Sequence, residues 1–186
     1  MPPNERADIM NSVFWHLTWR TYGTRVPGEA GFVGNYRTPG GARVTDNAYG
    51  TPTTPAMPAL AEYARGIQLR DAILLDGVRA ERLLAQLLET CRHRAWTPQI
   101  IAILMDHIHL AIALPVGIDG DAAMGNLKAD ASRALNRMDA KSGKRQWWAR
   151  GGSARVLQDE RYRKNAGEYI GGQEDPLLLW DDGEWS

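Results

Sequence analysis

The sequence predicts an α+β fold, a small antiparallel sheet with helices packed on one face. Three observations lead there. Residues 12–20 are dense in aromatic and β-branched side chains; two apolar runs, 99–104 and 107–114, follow one another closely; and apolar residues at three-and-four spacing recur before and after them. The 186 residues are enough for one domain with a substantial core.

The first run, SVFWHLTWR, reads as a strand. Alternation puts Val13, Trp15, Leu17 and Trp19 on one face and Phe14, His16, Thr18 and Arg20 on the other. Between about 21 and 58, Gly and Pro recur without periodicity, as in Val26-Pro27-Gly28 and Pro39-Gly40-Gly41, which predicts a long irregular excursion within the single domain. Val78, Leu83, Leu84, Leu87, Leu88 and Cys91 then form the apolar stripe of a helix over 78–94. The runs 99–104 and 107–114 read as a hairpin that Pro115 ends. A second helix over 119–138 turns Met124, Leu127, Ala131 and Leu135 inward and leaves Lys128, Arg133 and Arg137 more exposed. A basic loop at 141–150 and a helix over 159–170 complete the chain, followed by an acidic tail at about 174–186. Strand, long loop, helix, strand, strand, helix, short strand or loop, helix is an order that a ferredoxin-like (RRM-like) sheet accommodates best.

Lys plus Arg and Asp plus Glu both total 22, so overall charge points to no partner. The distribution is more informative. Residues 128–164 carry a local net of +7, and 165–186 carry −6 with no basic residue. A basic segment followed by an acidic tail suits a groove for a polyanion with a separate terminus, and equally two solvated faces of opposite sign. One cysteine, Cys91, excludes an intrachain disulfide and a cysteine-cluster metal site. The first six residues lack the pattern of a secretory signal, and the longest apolar stretch is broken by Asp106, His107 and His109. The expectation is a cytoplasmic protein without a membrane span.

The segment Met105-Asp106-His107-Ile108-His109-Leu110 carries the first chemical signal. Residues two apart on a strand point the same way, so His107 and His109 project together, while Ile108, Leu110, Ile112 and Leu114 face the core. Ala111 and Ala113 continue the histidine face with small side chains. Two imidazoles over such a floor can bind one divalent cation; such pairs also arise by chance as ordinary strand residues. His16 and His93 lack this context and read as structural or surface residues.

The second signal is Tyr169 and Gln173, four apart and on one face if the helix continues. A phenolic oxygen beside a metal-bound phosphate can attack it, and the Gln173 amide oxygen is a hard ligand suited to Mg²⁺ or Mn²⁺. Helical tyrosines more often only pack, and Gly171-Gly172 weakens the helix where Gln173 must be placed. Tyr162, seven residues earlier and on nearly the same face, is a rival nucleophile.

Together these segments resemble the HUH single-tyrosine transposases, and within them the branch of REP-associated tyrosine transposases. His16-Leu17-Thr18-Trp19-Arg20-Thr21-Tyr22-Gly23-Thr24 is similar to that branch's first strand and turn, and Met105–Leu110 to the HUH motif. Trp147-Trp148-Ala149-Arg150-Gly151-Gly152-Ser153, followed by Tyr169 and Gln173, is similar to its C-terminal signature. The resemblance implies cleavage and rejoining of single-stranded DNA at hairpin-associated sites. Tyr169 would be the catalytic nucleophile, forming a 5′-phosphotyrosine intermediate, with His107, His109 and Gln173 holding Mg²⁺ or Mn²⁺. Two departures stand out. Family members commonly carry a proline between the methionine and the residue before the histidines, whereas Met105 here runs straight into Asp106; and Gly171-Gly172 interrupts the approach to Gln173.

For DNA binding, Lys128, Arg133, Arg137, Lys141, Lys144, Arg145, Arg150 and Arg155 are the candidate phosphate contacts. Trp147 and Trp148 lie beside them, one expected in the core and one free to stack on bases. The acidic tail could lie over this basic groove. Two other readings fit the same residues: a domesticated, non-mobile nuclease, and a catalytically silent nucleic-acid-binding module. The resemblance also leaves open whether the tyrosine helix serves its own subunit or reaches across a homodimer.

Overall fold

The structure is a computed structural model that describes residues 11–30, 32, 34–37, 43–46, 55–139 and 145–183. Candidate residues Lys141 and Lys144 lie outside it, as do parts of the 21–58 excursion and the last three residues of the tail. The chain divides into two compact units, one of Met1–Thr21 with Leu74–Ser186 and one of Tyr22–Ile73.

The first unit is built on a five-stranded antiparallel sheet in the order β6-β1-β5-β4-β7. The strands are β1 (Ser12–Arg20), β4 (Thr97–Ile103), β5 (His107–Pro115), β6 (Ser153–Val156) and β7 (Leu178–Asp181). β1 and β5 form the central pair, with Thr18 opposite His109 and Arg20 opposite His107. On one sheet face Leu17, Trp19, Ile101, Ile103, Ile108, Leu110, Ile112 and Leu114 are completely buried. Burial of each of the aliphatic side chains among them is worth about 1.5–3 kcal/mol. Helices α2 (Gly77–His93) and α3 (Gly120–Met138) pack together over this face, contributing Leu83, Leu87, Leu127, Ala131 and Leu135. At the start of α3, Gly120 lies so close to the Trp15 ring that no side chain fits between them.

The predicted helices form close to their expected bounds because an aspartate caps each one. Asp76 accepts from the Arg79 N–H at the start of α2, and Asp119 from the Ala122 N–H at the start of α3. Asp159 accepts from the Tyr162 N–H at the start of α4 (Glu160–Gly171). Each cap satisfies one of the first N–H groups, worth about 1 kcal/mol. Val78, expected in the apolar stripe of α2, is instead exposed, because it sits in the first turn beyond the reach of the core.

α4 lies over the other, histidine-bearing face. Ile170 is buried in a cluster with Ile100, Ala102 and Ala111, and Leu104 packs against it. Ala111, expected with Ala113 to floor an open surface, is instead part of a seat: Ala102 and Ala111 are short enough for the helix to settle onto the sheet. At the far end of α4, the Arg163 guanidinium lies 4.4 Å over the Phe14 ring.

The acidic tail takes a different course from the one expected. Residues Leu178–Asp181 pair antiparallel with β4 as an edge strand, with Leu179 opposite Ala102 and Trp180 opposite Ile101. Backbone pairing holds this segment on the edge remote from β6 and its Arg155, which replaces the idea of a tail lying over the basic segment.

The second unit corrects the expectation of a wholly irregular excursion. It contains a two-stranded antiparallel ribbon, β2 (Gly34–Arg37) with β3 (Arg43–Asp46), and a helix α1 (Pro58–Gly66). Four-residue strands are too short to show a periodic signal, and Pro58 opens a helix well because its missing N–H is not needed there. Val26, Ala61 and Ala64 form its small core. Gly28, at φ +93°, lets the chain pass against α1; a Cβ there would lie 2.5 Å from the Ala61 nitrogen.

Candidate functional site

Alternate residues of β1 and β5 bring their polar side chains to one face beside α4. His107 and His109, two apart on β5, have ring centroids 4.9 Å apart with planes at 84°. Each ring is anchored through Nδ1. His107 Nδ1 lies 2.5 Å from Asp106 Oδ1, whose second oxygen accepts from Arg20 Nη1 at 2.7 Å. The backbone carbonyl of Asp106 accepts from both the N–H and the hydroxyl of Thr21, which fixes the β4–β5 turn. Burial pushes the Asp106 carboxyl up, but the His107 hydrogen bond and the His107 and Arg20 charges outweigh it, holding the group below its ordinary range.

His109 Nδ1 faces the Thr18 hydroxyl at 3.0 Å and His16 Nε2 at 3.1 Å. Burial, reinforced by the charges of His107, His16 and Arg20, lowers the His109 pKa to about 3. Burial and then the nearby Arg155 charge lower that of His16 to about 4. Both rings are neutral at physiological pH, the form in which imidazole binds a cation.

Tyr169 on α4 presents its ring edge-on to His109 at 5.3 Å and 89°, and lies 6.0 Å from the His16 ring. Tyr162 sits at the opposite end of the helix, its N–H on the Asp159 cap, about 10 Å away along the axis at 1.5 Å per residue. Gln173 falls just beyond the helix, which ends at Gly171 with Gly172 as its cap. Its amide N–H donates to the Tyr169 carbonyl at 2.9 Å, which tethers it to the tyrosine turn although it is no longer on the helix.

The donor set fits a divalent cation. With Nδ1 of His107 and of His109 engaged, the Nε2 atoms are the ones left for coordination, and the Gln173 bond through nitrogen leaves its amide oxygen as a hard ligand. Among the described residues no group of three or more His, Cys, Asp or Glu could by itself hold a metal ion.

The candidate DNA contacts are redistributed. Lys128 turns inward, donating to the carbonyls of Ala149 at 2.9 Å and Gly151 at 2.6 Å, and burial lowers its pKa. Trp147 and Trp148 are 1% and 6% exposed, so neither is free to stack on a base, contrary to the expected one-in, one-out arrangement. The chain there runs between α3 and the end of β1: Trp147 donates to Asn136, Trp148 to the Lys128 carbonyl, and Trp148 bridges to Thr21. Arg133 pairs with Asp130 and Arg137 reaches Gln86, both on the helix layer away from the histidines. Arg145 and Arg150 are exposed, the Arg145 N–H donating to Asn136 on α3 and Arg150 preceding β6, and Arg155 on β6 is the Cα partner of His16.

Sequence reasoning missed His16, Thr18, Arg20 and Asp106. The signal for the first three was the polar face of the first strand, whose relevance depends on β1 lying beside β5; that for Asp106 was its place directly before His107.

No described helix is long and apolar enough to cross a membrane. Comparison with curated proteins finds no match. The solved structure of a REP-associated tyrosine transposase bound to a REP hairpin matches the fold with a TM-score of 0.50 at 12% identity, covering 85% of this chain and 64% of that one. This chain therefore spans less than two thirds of that protein's length. The profile of the family described as "Transposase IS200 like" matches residues 67–173, more than half the chain and the whole run from α2 through both histidines to Tyr169 and Gln173. With that span matched and the α+β fold shared, the chain belongs to the IS200-like transposase family.

Proposed function

We propose that this chain is a metal-dependent endonuclease and strand transferase for single-stranded DNA, with Tyr169 as its nucleophile. The observation that carries the reading is the placement of the Tyr169 ring edge-on to His109, on a helix seated over the histidine face. Tyr162 lies at the other end of that helix, in the turn capped by Asp159.

The Tyr169 oxygen attacks the scissile phosphorus as the phenol loses its proton. The bond to the 3′-oxygen breaks, that oxygen takes up a proton, and a 5′-phosphotyrosine remains. The new ester conserves the energy of the old one, so the reverse attack by a 3′-hydroxyl rejoins the strand without an external energy source. Mg²⁺ or Mn²⁺, held by His107, His109 and Gln173, supplies polarisation of the phosphate when bound. Arg150 and Arg155 are the preferred phosphate contacts because they lie on or beside β6, next to the histidine face. The hairpin held by the solved relative supports a hairpin-flanked substrate.

The test is incubation of the full chain with single-stranded hairpin DNA and Mg²⁺ or Mn²⁺, followed by denaturing electrophoresis. A covalent protein–DNA band is expected from the wild type and from Tyr162→Phe, and none from Tyr169→Phe. An adduct that survives Tyr169→Phe and vanishes in Tyr162→Phe reverses the assignment. Binding without any adduct, over varied hairpins, supports a silent binding module instead.

A further inference from the structure

Three polar atoms crowd around one edge of the His109 ring. Thr18 Oγ1 lies 3.0 Å from His109 Nδ1 and 3.3 Å from His16 Nε2, and the two ring nitrogens are 3.1 Å apart. The sheet makes this triangle. Thr18 is directly opposite His109, and His16, two residues back on β1, is the diagonal neighbour on the same face, opposite Ala111. Because Ala111 is only a methyl group, the His16 ring can lean across it towards His109, with centroids 5.3 Å apart.

A neutral imidazole carries one ring proton, so a gap of 3.1 Å between two ring nitrogens is occupied by a hydrogen from only one of them. If His16 supplied it, His109 would carry its own proton on Nε2 and could not offer that atom to a cation. If His109 supplies it, the proton sits on Nδ1, shared between His16 Nε2 and the Thr18 oxygen, and the Thr18 hydroxyl donates its own hydrogen bond to His16 Nε2. The Nε2 lone pair of His109 is then left without a proton.

We propose that His16 is a positioning residue of this site: together with Thr18 it holds His109 as the Nδ1–H tautomer, with its ring plane fixed and its Nε2 ready for the cation. This rests on the reading of His109 as a metal ligand and adds to it the group that prepares the ligand before any metal arrives. It also gives the second strand half of the arrangement a role matching that of Asp106 at His107, where a carboxylate faces Nδ1.

The experiment is long-range ¹H–¹⁵N correlation on the full chain without added metal, paired with Mn²⁺ titration. Wild type should show His109 as the Nδ1–H form. His16→Leu should shift it towards the Nε2–H form and weaken Mn²⁺ binding by about 10- to 100-fold. His16→Gln, whose amide can occupy the position of the imidazole Nε2, should restore both. An unchanged tautomer and unchanged Mn²⁺ affinity in His16→Leu overturn the proposal. So does pulsed electron paramagnetic resonance that counts an extra imidazole nitrogen on Mn²⁺ in the wild type and loses it in His16→Leu, since His16 would then be a ligand. If His16→Leu does not fold, Thr18→Val removes the bridging hydroxyl at nearly constant shape, and the same tautomer shift is expected. A wild type that binds no Mn²⁺ defeats the metal-ligand reading separately, while the tautomer measurement still decides the part played by His16.

Discussion

Lys128 shows how a residue's charge can mislead about its use. On a helical wheel it is an exposed cation, yet its ammonium is held by two carbonyls of the 149–151 turn. Replacing it with Met should leave those carbonyls unsatisfied and lower stability by about 1–3 kcal/mol, read as a drop in thermal midpoint. Arg155→Ala should act the other way round: little change in midpoint, but weaker DNA binding and a salt-dependence slope reduced by about one. If Lys128→Met instead reduces the salt slope as much as Arg155→Ala does, the ammonium reaches DNA after all. Cys91 gives a second residue-level expectation. Its thiol is buried and burial pushes its pKa up to about 12, so thiolate is scarce at neutral pH. Ellman's reagent should leave the native protein unlabelled and titrate one thiol after denaturation; rapid labelling of the folded chain would contradict this. His16 was hidden from sequence reasoning for a related reason: a lone histidine has no periodic partner along the chain, and its partners here are across the sheet.

The elements differ in how plainly they were written in the sequence. α2 and α3 were legible by their apolar stripes, and all three long helices, α4 included, start from a capping aspartate. Asp159→Ala should therefore cost about 1 kcal/mol and speed amide exchange around Tyr162 more than around Tyr169, which the Ile170 seat protects. Equal exchange along α4 would mean that the seat, not the cap, holds both ends. β7 was not legible. Its Leu178-Leu179-Trp180 core is flanked by Glu174, Asp175, Asp181 and Asp182, so composition spoke for a solvated tail. An edge strand needs only backbone pairing on one side, which leaves a weak mark in side-chain pattern. A chain ending at Asp175 should lose thermal stability by uncovering β4 and should gain no DNA affinity. A gain in affinity with unchanged stability would return the segment to a covering role.

At the scale of the molecule, the class of fold was readable, while its assembly was not. Strand pairing is a relation between distant segments. Once β1 lies beside β5, His16, Thr18 and Arg20 become neighbours of His109 and His107, and a two-residue motif becomes a network. The opposite lesson comes from Trp147 and Trp148: adjacent in sequence, they were expected to part company, but protein surrounds both. The sheet order has one more implication. Arg155 stands on one outer strand and Asp181 on the other, about 19 Å apart across five strands, with Tyr169 and the histidines over the strands between them. A phosphate chain laid across this sheet meets attraction at one rim and repulsion at the other. On the proposed reading, a strand bound on this face is drawn towards the basic rim and held off the acidic one.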